Sequence, residues 1–399
     1  MRMATGGDFF AGVSLTHPDA DIRAAISPVV EPEAEQQLPP ASGIGLCLSG
    51  GGYRAMLFHA GVIWRLNELG LLPKLTRISS VSGGSITAGL LACRWNDLAF
   101  EDDVASQFTT EIIRPIRTLA GVTIDTWSVV RGILLPGSVS DRIAGAYDKY
   151  LYHGATLDEI PRAPYFIINA TNVQTGVLCR FSRGDMRDYR VGKFLMPGFP
   201  LSKAVAASSS FPPVLSPTVI KPGRAPEEPV DREDLRRAPF TTTLVLSDGG
   251  VYDNLGLETV WKRCATVLVS DAGGELQPEG TPARDWARHS FRILNVIDNQ
   301  VRSLRKRQVV GSLTAGERNG AFWSIRVRRE KYSAESPLSC PPARTAELAA
   351  VPTRLAGLDA ALQERLINWG YAICDIAIRT YVDAALPVAT AFPYPGRGV

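Results

Sequence analysis

The chain has 399 residues, of which 45% are hydrophobic and 21% charged, a composition typical of a globular protein that buries a core. Its 43 lysines and arginines stand against 40 aspartates and glutamates, and a net charge of +3 excludes the strongly basic field of a dedicated nucleic-acid binder. Six cysteines and four histidines are scattered along the chain. This spacing excludes a zinc ribbon, an HExxH site and a small disulfide scaffold.

The first 42 residues are polar, proline-rich and unpatterned, and we interpret residues 1–42 as a flexible N-terminal arm. They lack the apolar run of a signal peptide, and no uninterrupted stretch of about 18 apolar residues occurs in the chain. Scattered cysteines fit buried free thiols in a reducing compartment. We therefore expect a cytoplasmic protein that acts on any lipid from the membrane surface.

The elements that follow alternate between strand and helix. The pattern predicts a strand at 45–48, a helix at 53–69, a strand at 78–81 and a helix at 85–93. Strand, glycine turn, helix and strand in this order are typical of a βαβ unit with a parallel sheet.

Beyond this unit, residues 98–160 interleave aromatic and aliphatic side chains and predict a helical insertion over the sheet. The charge-dense segment 221–238 is expected to be a solvated loop. Further strands are predicted at 165–169, 244–246, 266–269 and 293–297, and one or two helices at 355–382.

Ser82 stands in the segment SVSGGS, at a sharp turn between a predicted strand and a predicted helix. Small neighbours permit the strained backbone that exposes a nucleophilic hydroxyl, and the helix start offers amide groups beside it. Such turns are also common without any function, so both interpretations stay open here.

Three glycines, Gly50, Gly51 and Gly52, lie at the preceding strand-to-helix turn in the segment SGGGYR. Their backbone N–H groups are free of side-chain obstruction and could bind a phosphate or a developing oxyanion. The segment is neither a Walker loop nor a dinucleotide fingerprint, because the required Lys-Ser/Thr and third glycine are missing. A simple tight turn remains the alternative.

Asp248 ends a predicted apolar strand and is followed by two glycines. A carboxylate in this position can accept a proton from a serine if desolvation raises its basicity, although Asp-Gly pairs usually only cap a turn. Asp271, in the similar segment VSDAGG, competes with it; we favour Asp248 because its glycines are adjacent and Asn254 follows.

A serine triad would need a late histidine, and only His289 qualifies. It stands in a segment typical of a helix surface, which makes the triad the weaker hypothesis. His59 is expected to be a packed histidine.

Taken together, the three segments resemble those of the patatin-like phospholipases and the related cytosolic phospholipases. That family carries a GGGxR/K loop, a GxSxG elbow and a DGG/A motif. Residues 50–54 match the first, Ser82 the nucleophile and Asp248 the dyad aspartate, while residues 207–213 add further similarity. The chain departs from the pattern at Ser80, which replaces the first elbow glycine, and at Ala55, where many members have glycine.

The resemblance implies an α/β, patatin-like three-layer fold for residues 43–390, with a central, mostly parallel sheet flanked by helices and with 98–160 as a helical, lid-like insertion. It also implies a Ser-Asp dyad in which Asp248 takes the proton of Ser82. The amides of Gly51 and Gly52 would hold the oxyanion, with Gly50 or Gly83 assisting.

Arg54 is a candidate for binding a lipid phosphate, with a surface ion pair as the plain alternative. No metal and no cofactor are expected. The basic segment 302–307, followed by Arg326, Arg328 and Arg329, is either a solvated helix face or a docking site for anionic lipid.

The expected function is therefore a serine lipid acyl hydrolase that cleaves phospholipids or lysophospholipids at a membrane surface through an acyl-enzyme, without a nucleic-acid partner. Two alternatives stay open. The protein could be a catalytically silent lipid-binding or scaffold protein of the same fold, or a thioesterase or protease with the same acyl chemistry.

Overall fold

The computed structural model describes residues 41–124, 138–213, 215–227 and 234–399. Within these residues, ten strands form one sheet and two more form a separate hairpin. The strands are β1 (Ala41–Leu48), β2 (Leu75–Val81), β3 (Phe100–Glu101), β4 (Val104–Ala105), β5 (Tyr165–Asn172), β6 (Val177–Ser182), β7 (Asp185–Asp188), β8 (Gly192–Leu195), β9 (Thr218–Ile220), β10 (Leu244–Asp248), β11 (Cys264–Asp271) and β12 (Asn319–Ser324).

Helices alternate with these strands along the chain. They are α1 (Gly52–Glu68), α2 (Gly83–Arg94), α3 (Arg114–Ala120), α4 (Val139–Tyr147), α5 (Leu201–Ser208), α6 (Gly250–Asp253), α7 (Glu258–Trp261), α8 (Trp286–Thr314), α9 (Pro342–Ala350) and α10 (Ala360–Tyr381).

Five neighbouring strands of the sheet run parallel, in the order β12-β11-β1-β2-β5. They are apolar because helices cover both faces; Leu46, Cys47 and Leu48 of β1, for example, are fully buried. From β5 the sheet continues antiparallel through β6, β7 and β8, and β10 and β9 pair antiparallel beside the end of β5. The α/β fold with a central parallel sheet is confirmed; its antiparallel extension was not part of the prediction.

Most predicted elements are found within a few residues of their expected bounds, including β2, α1, α2 and the single helix α10. The strand predicted at 293–297 is wrong, because these residues lie in the middle of α8. The described parts of the charged segment 221–238 contain neither helix nor strand, and its residues 228–233 lie outside the described ranges.

The described part of the insertion 98–160 is largely helical, with α3 and α4 each extended by a π-helical turn. Ile112 and Ile113 are buried in the main core. Residues 125–137, which include the predicted lid side chains Trp127, Val130, Ile133 and Leu134, lie outside the described ranges, and the lid remains a prediction. The same holds for the predicted arm 1–42, except that its last two residues belong to β1.

Helices α1 and α10 pack backbone to backbone, and two glycines make this possible. A Cβ atom on Gly61 would lie 1.9 Å from the Ile367 carbonyl oxygen, and one on Gly370 would lie 1.9 Å from the Phe58 carbonyl oxygen. Any side chain at either position would force the helices apart. This contact fixes α1, whose N-terminus carries the glycine loop.

All six cysteines are unpaired and five of them are buried, which confirms the expected free thiols. None of the helices in the described ranges is both long enough and apolar enough to cross a bilayer.

Candidate active site

Ser82 occupies the turn between β2 and α2 with φ +51° and ψ −121°, a backbone conformation that residues other than glycine rarely adopt. A residue outside the turn, Ser208, stabilises its backbone. The Ser82 amide donates a hydrogen bond to the Ser208 hydroxyl over 3.0 Å, and that hydroxyl donates to the Asn169 carbonyl over 2.6 Å. Ser208 is therefore a positioning residue; the sequence showed it only as part of the family-like segment 207–213.

The small residues around the elbow are explained by how closely it packs against the glycine loop. A Cβ atom on Gly83 would lie 2.2 Å from the Gly52 carbonyl oxygen, and one on Gly84 would lie 2.4 Å from the Leu48 carbonyl oxygen. Both glycines are required by contact with backbone atoms, which cannot move aside as a side chain can.

The glycine loop itself needs glycine for its conformation. Gly51 and Gly52 have φ +145° and +61°, and a Cβ atom on Gly52 would also lie 2.6 Å from the Arg354 carbonyl oxygen. Within the described part of the chain, the amides of Gly51, Gly52 and Gly83 have no hydrogen-bond acceptor. Three unpaired N–H donors therefore lie in the glycine loop and at the elbow, and Gly51 also lines the cavity described below.

Gly50 does not share this property, and its prediction as an oxyanion donor is wrong. Its amide donates to the Asn254 carbonyl over 3.0 Å. Its role is steric, since a Cβ atom there would lie 2.5 Å from Asn254 Oδ1 and 3.1 Å from Ser82 Cβ.

Asp248 ends β10, which reaches the elbow by running antiparallel to β5. Asp248 pairs with Ala170, and the preceding residue of β5, Asn169, pairs with Val81 at the end of β2. Strand β6 pairs with the other side of β5 along these same residues, so β2 and β10 lie on one side of β5. The two strands meet there end to end, which brings Asp248 and Ser82 to the same cavity.

The Asp248 carboxylate is 1% exposed and only partly satisfied. Its Oδ1 accepts a 2.7 Å hydrogen bond from the Gly250 amide, while Oδ2 has no hydrogen-bond partner in the described structure. Burial raises the pKa of Asp248 to about 7, and the Gly250 amide and the Ser82 hydroxyl oppose the rise. A carboxylate with a pKa near neutrality is suited to act as a general base at physiological pH.

Asp271 has the opposite environment. It is fully buried, but Lys306 Nζ lies 2.5 Å from Oδ2 and the Gly273 amide donates to Oδ1 over 2.9 Å. Burial alone would raise the pKa of Asp271; the Lys306 ammonium outweighs it and the pKa lies below its usual value. An aspartate that is neutralised in this way is a poor base, which favours Asp248.

Neither candidate histidine lines the cavity. His59 is fully buried; its Nε2 donates to the Ser49 carbonyl and its Nδ1 accepts from the Ser270 hydroxyl, and burial lowers its pKa to about 4. It is the packed histidine that the sequence predicted. His289 is exposed on α8.

Ser82 and Asp248 line a cavity of about 310 Å³. Among the described residues, no group of three or more histidine, cysteine or acidic side chains could hold a metal ion. The other lining residues are Gly50, Gly51, Phe211, Asn254, Gly274, Glu275, Leu276, Gln277, Asn295, Asp298, Arg302 and Thr353.

The prediction that Arg54 binds a substrate phosphate is wrong. Its side chain does not line the cavity and the residue is 2% exposed. The guanidinium donates to the carbonyls of Ala272 and Val351 and to the Thr353 hydroxyl. Burial lowers the pKa of Arg54 to about 10. Arg54 thus ties the start of α1 to two neighbouring loops.

We expect replacement of Arg54 by methionine to lower the free energy of unfolding by about 3 kcal/mol, because the buried acceptors lose their donor. Urea unfolding followed by circular dichroism measures the change. Arg344→Met is the matched control, since that side chain is 49% exposed and pairs with Glu347, and it should unfold like the wild type. Equal stability of all three proteins would contradict the structural role of Arg54.

Three of the four basic residues of the segment 302–307 contact the protein, and the fourth, Arg307, is exposed. Arg302 donates to the Gly274 carbonyl, Arg305 pairs with Glu258, and Lys306 pairs with Asp271. Arg302, Arg305 and Lys306 are therefore not a free surface for anionic lipid. Among the described residues that line the cavity, Arg302 is the one cation.

A family model described as patatin-like phospholipase matches residues 46–261, a range that includes both Ser82 and Asp248. Lysophospholipase 2 of Saccharomyces cerevisiae is 34% identical over 106 residues, 22% of this chain and 15% of the yeast protein. Lysophospholipase 1 of Candida albicans is 39% identical over 88 residues, 20% of this chain and 14% of the fungal protein. The chain thus spans only a small part of either relative.

Among solved structures, human GIVD cytosolic phospholipase A2 is similar with a TM-score of 0.45 and 14% identity, over 88% of this chain and 62% of the human one. VipD from Legionella pneumophila is similar with a TM-score of 0.32 and 14% identity, over 84% and 66% of the two chains.

Proposed function

Since the chain belongs to the patatin-like phospholipase family, we propose that it is a serine lipid acyl hydrolase that cleaves ester bonds of phospholipids or lysophospholipids. The observation that carries the proposal is the meeting of Ser82 and Asp248 in one cavity, beside the glycine loop. Nucleophile, base and oxyanion donors are the three parts that acyl transfer requires.

In the first half-reaction, Asp248 accepts the proton of the Ser82 hydroxyl as Oγ bonds to the ester carbonyl carbon. The negative charge that develops on the carbonyl oxygen is stabilised by the free amides of Gly51 and Gly52, with the Gly83 amide assisting. One such donor is worth about 3 kcal/mol of barrier. Backbone amides held by packing need no reorganisation during the reaction.

The tetrahedral intermediate then collapses. The ester C–O bond breaks, protonated Asp248 gives its proton to the leaving alcohol, and the acyl group stays on Ser82. In the second half-reaction Asp248 takes a proton from water as the water oxygen attacks the acyl carbon. The bond between Ser82 Oγ and the acyl carbon then breaks, Asp248 returns its proton to Oγ, and the fatty acid leaves.

Arg302 replaces Arg54 in this proposal as the cation for a lipid phosphate. It lines the cavity, where its Nη1 donates to the Gly274 carbonyl over 2.8 Å and its Nε lies 3.1 Å from Asp298 Oδ2. These two partners fix the guanidinium at the cavity wall. A planar guanidinium held in place suits a phosphate oxygen.

Mass spectrometry of products from a mixed pool of phospholipids and lysophospholipids tests the function. We expect release of free fatty acid, and faster cleavage of oxygen esters than of matched thioesters or peptides. A silent scaffold would release nothing, and a thioesterase or protease would reverse the order of substrates; either result would refute the proposal.

A further inference from the structure

Helix α8 places charged residues against the protein and apolar residues towards solvent, the reverse of an ordinary surface helix. Its charged residues Arg302, Arg305 and Lys306 contact the protein through the bonds described above, and with Asn295 and Asp298 they form the helix's inner, polar face. A surface helix normally buries its apolar side and exposes its charges.

Its apolar side is exposed instead. Trp286 is 84% exposed, Leu294 60% and Ile297 54%, values at which most of each side chain meets solvent. At 3.6 residues per turn, six exposed apolar residues share one side of the helix over about 27 Å. This apolar stripe consists of Trp286, Ile293, Leu294, Ile297, Val301 and Leu304. A continuous apolar surface of this kind marks an interaction site.

The charges of α8 indicate what covers the stripe. Most basic residues of the helix are paired: Arg302, Arg305 and Lys306 on the inner face, and Arg288 and Arg292 with Asp285 and Glu279. The charges that can meet a partner at the stripe are therefore the ones without such a pair among the described residues. Arg284, just before the helix, and Arg307, next to the stripe, are exposed. Two copies of this chain that met through the stripe would bring these exposed arginines of both copies to one interface, whereas an anionic lipid surface would complement them.

We propose that the apolar stripe of α8 is the surface by which the protein lies on an anionic lipid bilayer. A helix with one apolar face and an excess of basic residues partitions into the plane of the headgroups, with tryptophan at the interface. The inner face of the same helix lines the cavity through Asn295, Asp298 and Arg302. A bilayer on the stripe therefore lies about one helix diameter, roughly 10 Å, from the cavity wall. This inference rests on the proposed function for the reason that a lipid hydrolase must meet a lipid surface.

Sedimentation with sucrose-loaded vesicles tests the surface. The vesicles contain phosphatidylcholine alone or phosphatidylcholine and phosphatidylglycerol in equal parts. The test variant is the triple substitution Ile293→Ser, Ile297→Ser and Leu304→Ser. The matched control is Val173→Ser, Val219→Ser and Val388→Ser, whose side chains are comparably exposed at 57%, 54% and 46% but lie outside α8.

We expect the wild type and the control to bind the mixed vesicles more tightly than the neutral ones. The stripe variant should bind the mixed vesicles at least roughly tenfold more weakly than the wild type does. Hydrolysis of a water-soluble, monomeric ester should be the same in all three proteins, which also shows that the stripe variant is folded. Wild-type binding by the stripe variant would overturn the inference. So would a wild-type dimer in gel filtration that the stripe substitutions convert to a monomer, since a second copy would then cover the stripe. Absence of soluble-ester hydrolysis in the wild type would instead count against the proposed function. The vesicle-binding result would still test whether the stripe binds the bilayer.

Discussion

Replacement of Ser82 by alanine is expected to lower the rate of acyl ester hydrolysis by roughly 10⁴-fold or more, because the bond-forming oxygen is lost. The fold should not change. Alanine keeps the Cβ atom, and the hydrogen bond that holds the elbow comes from the backbone amide of residue 82 to Ser208. The measurement is the initial rate with a chromogenic ester, accompanied by a thermal unfolding curve.

The control for this variant is Ser303→Ala. The Ser303 hydroxyl bonds only to the Asn299 carbonyl of its own helix, and its loss should leave the rate unchanged. A Ser82→Ala protein that hydrolyses the ester at the wild-type rate would show that the nucleophile lies elsewhere.

Replacement of Asp248 by asparagine is expected to lower the rate by roughly 10³-fold or more, because the amide cannot accept the serine proton. The same change should raise stability. The pKa of this carboxyl rises from 3.8 in the unfolded chain to about 7 in the folded one, which at about 1.4 kcal/mol per pKa unit is a penalty of up to about 4 kcal/mol.

The sign of this effect follows from proton binding. Between pH of about 3.8 and about 7 the unfolded chain releases a proton that the folded chain keeps, so stability falls as pH rises through this window. Above a pH of about 7 the ionised Asp248 carboxylate lowers the stability by the full penalty. Thermal unfolding at pH 8 should therefore give a higher Tm for Asp248→Asn than for the wild type, and the difference should vanish near pH 4.

Asp271→Asn is the matched comparison, with the opposite expectation. Its ionised carboxylate is stabilised by Lys306, so the substitution should lower the Tm at pH 8 while the folded fraction still hydrolyses the ester. Loss of activity in Asp271→Asn together with full activity in Asp248→Asn would exchange the roles of the two residues.

Ser82 and Asp248 are candidates in the sequence because each combines a strand end with small residues, and the resemblance to the family implies their roles. The glycines beside Ser82 are fixed by contacts with backbone, as at Gly83 and Gly84. Local patterns of this kind are visible in a single chain. The meeting of the two strand ends could not be read from the sequence, because β10 runs antiparallel to β5 while β2 runs parallel to it.

The roles of Gly50, Arg54 and Ser208 could not be read in the same way. Each depends on partners far along the chain: the Asn254 carbonyl for Gly50, the Ala272 carbonyl for Arg54 and the Asn169 carbonyl for Ser208. The strand predicted at 293–297 failed for a related reason. The pattern assumes that apolar residues are buried, and in α8 they face solvent.

The most direct test of the Ser-Asp dyad is the rate at which a fluorophosphonate modifies Ser82, followed by mass spectrometry of the intact protein as a function of pH. The wild-type rate should rise through a single ionisation at a pH of about 7, the pKa of Asp248. In Asp248→Asn the reaction should be far slower and lose this ionisation. A pH profile with the same midpoint and amplitude in both proteins would show that another group activates the serine.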